Sequence, residues 1–188
     1  ADFVAARDRE FLAALTALGV DPRKVVMNGF GHGRIVNSQA TYANVDSLIQ
    51  ASFEQLGDPA GGVTYHSMSW LDAHVDHALS GTVLRDKCTA SGASDAGGCT
   101  FYQSDLYRVD VPELSLPDTP KMPVPADLNP RKIKPAPGPE TARLRAALDE
   151  YRYSDPQAGR YGIGWNYSVK RYFEFASSDA GMSDYVHD

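Results

Sequence analysis

The sequence predicts an α+β fold, with three to four helices packed on a mainly antiparallel sheet and a long Pro-rich extended connector. Three observations lead there. Apolar residues recur at three- and four-residue spacing in four separate stretches, which is helical periodicity. Aromatic and β-branched residues cluster at 99–111 and alternate along 161–175, which is strand patterning. Between them, nine of the twelve prolines fall within residues 112–139, where regular helix or central strand cannot persist because proline fixes φ and removes an amide donor.

Along the chain, Val4, Phe11, Leu15 and Leu18 place a first helix over 3–18, stopped by Gly19. Asp21-Pro22 turns into a short strand, Lys24–Met27, followed by the glycine cluster Gly29–Gly33. Val45, Leu48, Ile49, Phe53 and Leu56 define a second helix, with Asn44 able to cap its start and Gly57 its end. A third is expected from Met68 to Ser80, with Ser69 and Asp72 as a capping box. Thr82–Cys88 and Cys99–Val111 read as the arms of a hairpin. A fourth helix runs from about Glu140 to Tyr151. The strand signal at 161–175 sets Tyr161, Ile163, Trp165, Tyr167, Val169, Phe173 and Phe175 on one face, with one break at Arg171. This organisation divides the chain into an α/β portion (1–111), the connector or arm (112–139), and a helix plus long strand (140–188) that completes the same domain.

Composition excludes several functions. The formal net charge of −6 argues against nucleic acid as an electrostatic partner. No apolar run approaches the roughly 18 residues of a transmembrane helix, so no transmembrane segment is expected. The chain opens Ala1-Asp2-Phe3, as a mature protein cut after a small residue would, and as any artificially shortened chain would too. Cys88 and Cys99 flank a segment too poor in apolar residues to hold itself by packing, and a disulfide there predicts a periplasmic or secreted protein. Charge is uneven: residues 131–171 hold nine Lys or Arg against four acids, and the last 17 residues hold four acids and no Lys or Arg. Such an asymmetry fits either a solvated surface or a docking surface for an acidic partner.

Candidate chemistry is sparse. His66, His74 and His77, with Asp72 and Asp76 near them, form the cluster that looks most suited to chemistry: imidazoles and a carboxylate can hold zinc or move a proton. HExxH is missing, so the metal, if any, stays unspecified, and no pattern names a cofactor. Gly29–Gly33 lacks the G-x-G-x-x-G spacing of a dinucleotide loop. No Gly-x-Ser-x-Gly occurs.

Two short segments resemble known families. Gly97-Gly98-Cys99-Thr100-Phe101-Tyr102 is similar to the cysteine segment of papain-like amidase domains, which implies Cys99 as a nucleophile, but the only histidine after it is His187. Phe11–Ala40, with Leu18-Gly19-Val20-Asp21-Pro22 and Gly29-Phe30-Gly31, resembles the helix-to-strand end of peptidoglycan-binding domains of the outer-membrane-protein-A type; the family's ligand-gripping segment has no counterpart here, so no binding residue carries over.

The connector is punctuated by apolar anchors, Leu114, Leu116, Met122, Val124, Leu128 and Ile133, a spacing suited to an arm docked on a surface. The reading is therefore an extracytoplasmic, non-catalytic accessory or assembly subunit that binds another envelope or secreted protein. The alternative is a secreted hydrolase, a toxin or cell-wall enzyme, working through the His/Asp cluster with or without a metal.

Overall fold

A computed structural model describes residues 2–35, 39–93, 98–103, 123–133, 138–167 and 184–187. The chain divides into two compact units, both discontinuous in sequence: residues 1–25 with 134–183, and residues 26–133 with 184–188.

The first unit is built on α1 (Phe3–Ala17) and α4 (Pro139–Glu150). Asp2 starts α1 by accepting the amides of Val4 and Ala5. The buried side of α1 is Ala6, Glu10 and Ala14, a row at spacing four, and it packs on α4, whose Ala147 is buried. Small residues on both helices let the two axes approach closely. The expected inner face of α1 is thereby displaced: Val4, Phe11 and Leu18 are exposed, and Leu15 is half-buried. After α1 the predicted strand at 24–27 does not form: Pro22–Lys24 is a 3-10 turn, because the Asp21 carboxylate takes the Arg23 amide and turns the chain, and Val25–Met27 follow without regular structure. The helix-to-strand end implied by the peptidoglycan-binding resemblance is therefore not formed.

Beyond α4, β4 (Ser154–Asp155) and β5 (Arg160–Tyr161) pair antiparallel around a Pro156–Ala158 turn. The long strand expected at 161–175 is overturned over its described part, residues 161–167. Among these only Tyr161, paired in Arg160–Tyr161, is strand; Gly162 adopts φ +59°, and Ile163–Tyr167 is a short helix, α5. Both oxygens of the buried Glu10 carboxylate cap that helix, accepting the amides of Ile163 at 2.7 Å and Gly164 at 3.0 Å. A positive-φ glycine and a tertiary cap outweigh period-two patterning here. Residues 168–175 lie outside the described residues. Tyr151, packed beneath Gly164, has its hydroxyl pKa raised, chiefly by burial and further by the Glu10 charge.

The second unit opens with a 3-10 turn at Gly29–Gly31, where the sequence has its glycine cluster, and continues into α2 (Tyr42–Leu56). Thr41 rather than Asn44 is the N-cap of α2, and Asn44 completes the box by accepting the Thr41 amide at 2.8 Å. Then come β1 (Tyr65–Met68), α3 (Val75–Ser91), β2 (Cys99–Gln103), β3 (Arg131–Ile133) and β6 (Asp184–His187). The strand order is β1-β2-β6-β3.

The expected fold class fails on this sheet. It is small and mixed rather than mainly antiparallel. Its longest ladder, β1 on β2, is parallel over four residue pairs, from Tyr65↔Cys99 to Met68↔Tyr102. The hairpin at 82–111 does not form. Gly81, Leu84 and Cys88 repeat at three and four along the buried side of α3, so 82–88 is helix, and the helix crosses over between two parallel strands. The helix expected at 68–80 starts seven residues later, since Met68 ends a strand and His74 is the N-cap of α3. The connector is not continuously extended either: among its described residues Ala126–Leu128 is a 3-10 turn and Arg131–Ile133 is the edge strand β3. A strand directly after Pro130 is tolerated at a sheet edge.

Cys88 and Cys99 are joined by a disulfide, with a Cα–Cα distance of 6.5 Å. It does not staple a hairpin tip; it ties the last turn of α3 to the first residue of β2. Leu84, Ala93 and Phe101 surround it, and Ile49, Phe53, Tyr65 and Trp70 pack on that cluster. Among the described residues no helix is long and apolar enough to cross a membrane.

Candidate functional site

In α/β crossover units, ligand-binding residues collect where parallel strands end and helices begin. The β1-α3-β2 crossover is the parallel element among the described residues, and the end of β1 carries the candidate residues. The chain leaves β1 at Ser69, and α3 returns over that exit so closely that Gly81 faces backbone atoms of 68–70.

The turn from Ser69 to His74 is organised by two side chains pointing back to the backbone. Ser69 Oγ accepts the Leu71 amide at 3.0 Å, and Asp72 Oδ1 accepts the His74 amide at 2.9 Å. The Asp72 side chain is fully buried, and its Oδ1 lies 3.4 Å from Nδ1 of the half-exposed His77. His74 Nδ1 accepts the Asp76 amide at 3.2 Å, which assigns its neutral-form proton to Nε2. The two imidazole rings lie 4.5 Å apart, centroid to centroid.

Of the four predicted site residues, the structure thus brings together Asp72, His74 and His77. His66 stands apart on the exposed side of β1, its ring edge-on to Tyr102. Among the described residues no three His, Cys, Asp or Glu side chains converge so as to hold a metal ion. What the arrangement offers chemically is a half-exposed imidazole, His77, whose Nδ1 lies near a buried carboxylate without a hydrogen bond to it. An imidazole beside a carboxylate is the pair of groups from which a general base can be made.

Cys99 is not a nucleophile in this structure, because its sulfur is bonded to Cys88 and the residue is buried. The anchors Leu114, Leu116 and Met122 lie outside the described residues. Val124 and Leu128 are half-buried, and Ile133 on β3 is exposed.

Sequence reasoning missed one pair altogether. Ser69 Oγ and His187 Nε2 are 2.7 Å apart, and both residues are fully buried. Oγ also accepts the Leu71 amide, so the hydroxyl joins the exit turn of β1 to the imidazole. The His187 ring stacks on Phe101 and meets Trp70 edge-on at 4.6 Å. A serine bonded to a histidine has the makings of a nucleophile, but this one is sealed under aromatic rings and serves as an anchor. A separation of 118 residues leaves no local signal by which the pair could be read from sequence.

No family model, no curated protein and no solved structure matches this chain.

Proposed function

We propose that the protein is an extracytoplasmic, non-catalytic subunit that binds another envelope or secreted protein, and that α1 is its docking element. The observation that carries this reading is the outer row of α1. Val4, Phe11 and Leu18 recur every seventh residue and are 50%, 39% and 38% exposed, while the helix buries alanines and a glutamate instead. A heptad row is the seam that an amphipathic helix of a partner fills with knobs of its own. Large apolar side chains kept outward on a helix are retained at a cost in solubility, which binding offsets. The buried disulfide supports an oxidising compartment, periplasmic or secreted.

The test is site-specific photocrosslinking from position 11 in exported material, combined with Phe11→Asp. The expected result is a single crosslinked exported protein whose association falls by about 100-fold or more in Phe11→Asp, a burial loss of roughly 3 kcal/mol. Equal association of Phe11→Asp and the parent would overturn the proposal, as would two free thiols in native unreduced material.

A second reading rests on the Asp72–His77 contact, which favours a secreted hydrolase with His77 as general base. It requires a substrate-dependent activity that His77→Ala and Asp72→Asn both reduce without loss of fold. If neither variant changes any hydrolytic activity the parent shows, this reading falls and the first stands.

A further inference from the structure

The sheet of the second unit is completed by a strand far along the sequence from its neighbours. Residues 134–183 belong to the first unit, and only residues 184–188 enter the second. There β6 lies between β2 and β3, which do not pair with each other. On one side it pairs Phe101↔His187, Tyr102↔Val186 and Gln103↔Tyr185; on the other, Arg131↔Val186, Lys132↔Tyr185 and Ile133↔Asp184. Beside this double ladder is a recess made for one side chain. The His187 imidazole fills it, bonded to Ser69 Oγ and bounded by the rings of Trp70 and Phe101.

Two open ladder edges with one specific side-chain recess are the elements by which an extended peptide is recognised. Here they meet four residues whose preceding chain belongs to the other unit. The slot therefore holds β6 by ladder bonds and by the buried His187 side chain, and not by a short connection to either neighbouring strand. The strand is joined to α5 by the sixteen residues 168–183, which reach at most about 55 Å when extended. The slot and the strand it fits are both present in every copy of the chain. An exchange between copies therefore conserves every ladder bond and the His187–Ser69 contact, and costs only the loss of free translation.

We propose that the slot between β2 and β3 is a peptide-binding site whose second occupant is the β6 strand of another copy of this chain, so that two copies associate by reciprocal strand exchange. The site is independent of the outer row of α1. Attachment in cis gives the chain's own strand an effective concentration of order 1 mM, so exchange sets in as protein concentration nears that value.

The test uses the full chain. It is held near 1 mM a few degrees below its unfolding midpoint, cooled, and separated by size exclusion with light scattering. A dimer whose fraction rises with concentration is expected. An excess of the hexapeptide Ser183–Asp188 should suppress it, and the same peptide with His187→Ala should be about tenfold less effective, the loss of one buried hydrogen bond. Full-length His187→Ala should take up the labelled parent hexapeptide more readily than the parent chain does, because its own strand has lost its anchor. Should His187→Ala not fold, peptide competition on the parent chain decides alone. Phe11→Asp should leave the dimer unchanged, which separates this interface from the α1 face. The proposal is overturned by a chain that stays monomeric and takes up no hexapeptide. It is equally overturned by a dimer that the hexapeptide does not affect, or that the parent and His187→Ala peptides suppress equally.

Discussion

Gly81→Ala is the substitution for which sequence and structure demand opposite outcomes. Gly81 lies inside α3 and has no positive φ. Helix propensity alone therefore predicts that alanine stabilises the protein by about 1 kcal/mol. The structure places a β-carbon at that position 2.3 Å from the Trp70 amide nitrogen, 2.5 Å from the Met68 carbonyl oxygen and 2.6 Å from the Ser69 carbonyl carbon. All three are backbone atoms, so no rotamer change relieves the overlap. Overpacking of this kind costs about 1–3 kcal/mol, and more where backbone must move, so the net change should be a loss of about 2 kcal/mol. For a unit of this size that lowers the midpoint of thermal unfolding by about 8 °C or more. Urea unfolding should show a lower midpoint at unchanged slope. Hydrogen exchange should accelerate in peptides covering 65–72 and 184–187, because the displaced exit turn carries Ser69 and with it the anchor of β6. A Gly81→Ala protein as stable as the parent, or more so, would refute the close approach of α3 to the end of β1.

Three further outcomes test other joints. Glu10→Gln keeps the shape of the side chain but leaves one of two buried amides facing a donor, and should cost about 1.5–3 kcal/mol, with faster exchange at 163–166 as the specific sign. Replacing both cysteines by alanine should cost about 3 kcal/mol on the chain-entropy estimate, seen as a lower urea midpoint in the variant and in the parent under reducing conditions. Tyr151 should ionise above the ordinary value of 10.0, since burial favours its neutral form. Its contribution to stability is then fully present below about pH 10 and is lost as pH rises through the folded value, a loss that absorbance titration should detect and Tyr151→Phe should abolish.

What the sequence revealed and what it hid depend on the range of the interactions. α2 and α4 were legible because their apolar spacing, and in α2 the Gly57 stop, act within a few residues. The disulfide was legible because a polar, glycine-rich segment between two cysteines has no other means of support. α1 was placed correctly but turned the wrong way, since its inner face is chosen by how closely α4 approaches, and small Ala6 and Ala14 win over bulkier Phe11 and Leu18. The strand at 161–175 failed for a similar reason: the side chain that converts its first part to helix is Glu10, about 150 residues away. That Asp72, His74 and His77 are neighbours was legible from their spacing, whereas the Ser69–His187 contact was not.

The two interactions that sequence could not show are also the ones the chain can least easily replace. Each unit is closed by segments far apart in sequence, and bringing them together carries a loop-closure cost that local elements escape. At each closure stands a fully buried polar side chain whose bonds reach across the gap, Glu10 to residues 163 and 164, and Ser69 to residue 187. A buried group of this kind penalises every arrangement in which it goes unpaired, and so selects one docking of the distant segment over its rivals more sharply than apolar contact can. The difference between the two lies in how the anchored segment is tethered. α5 continues directly from α4 and the β4–β5 pair of its own unit, so Glu10 can only fix it in place. β6 reaches its sheet from residues that belong to the other unit, so the same kind of anchor can be released and refilled. A device that secures a fold at Glu10 becomes at His187 one by which two copies can be joined.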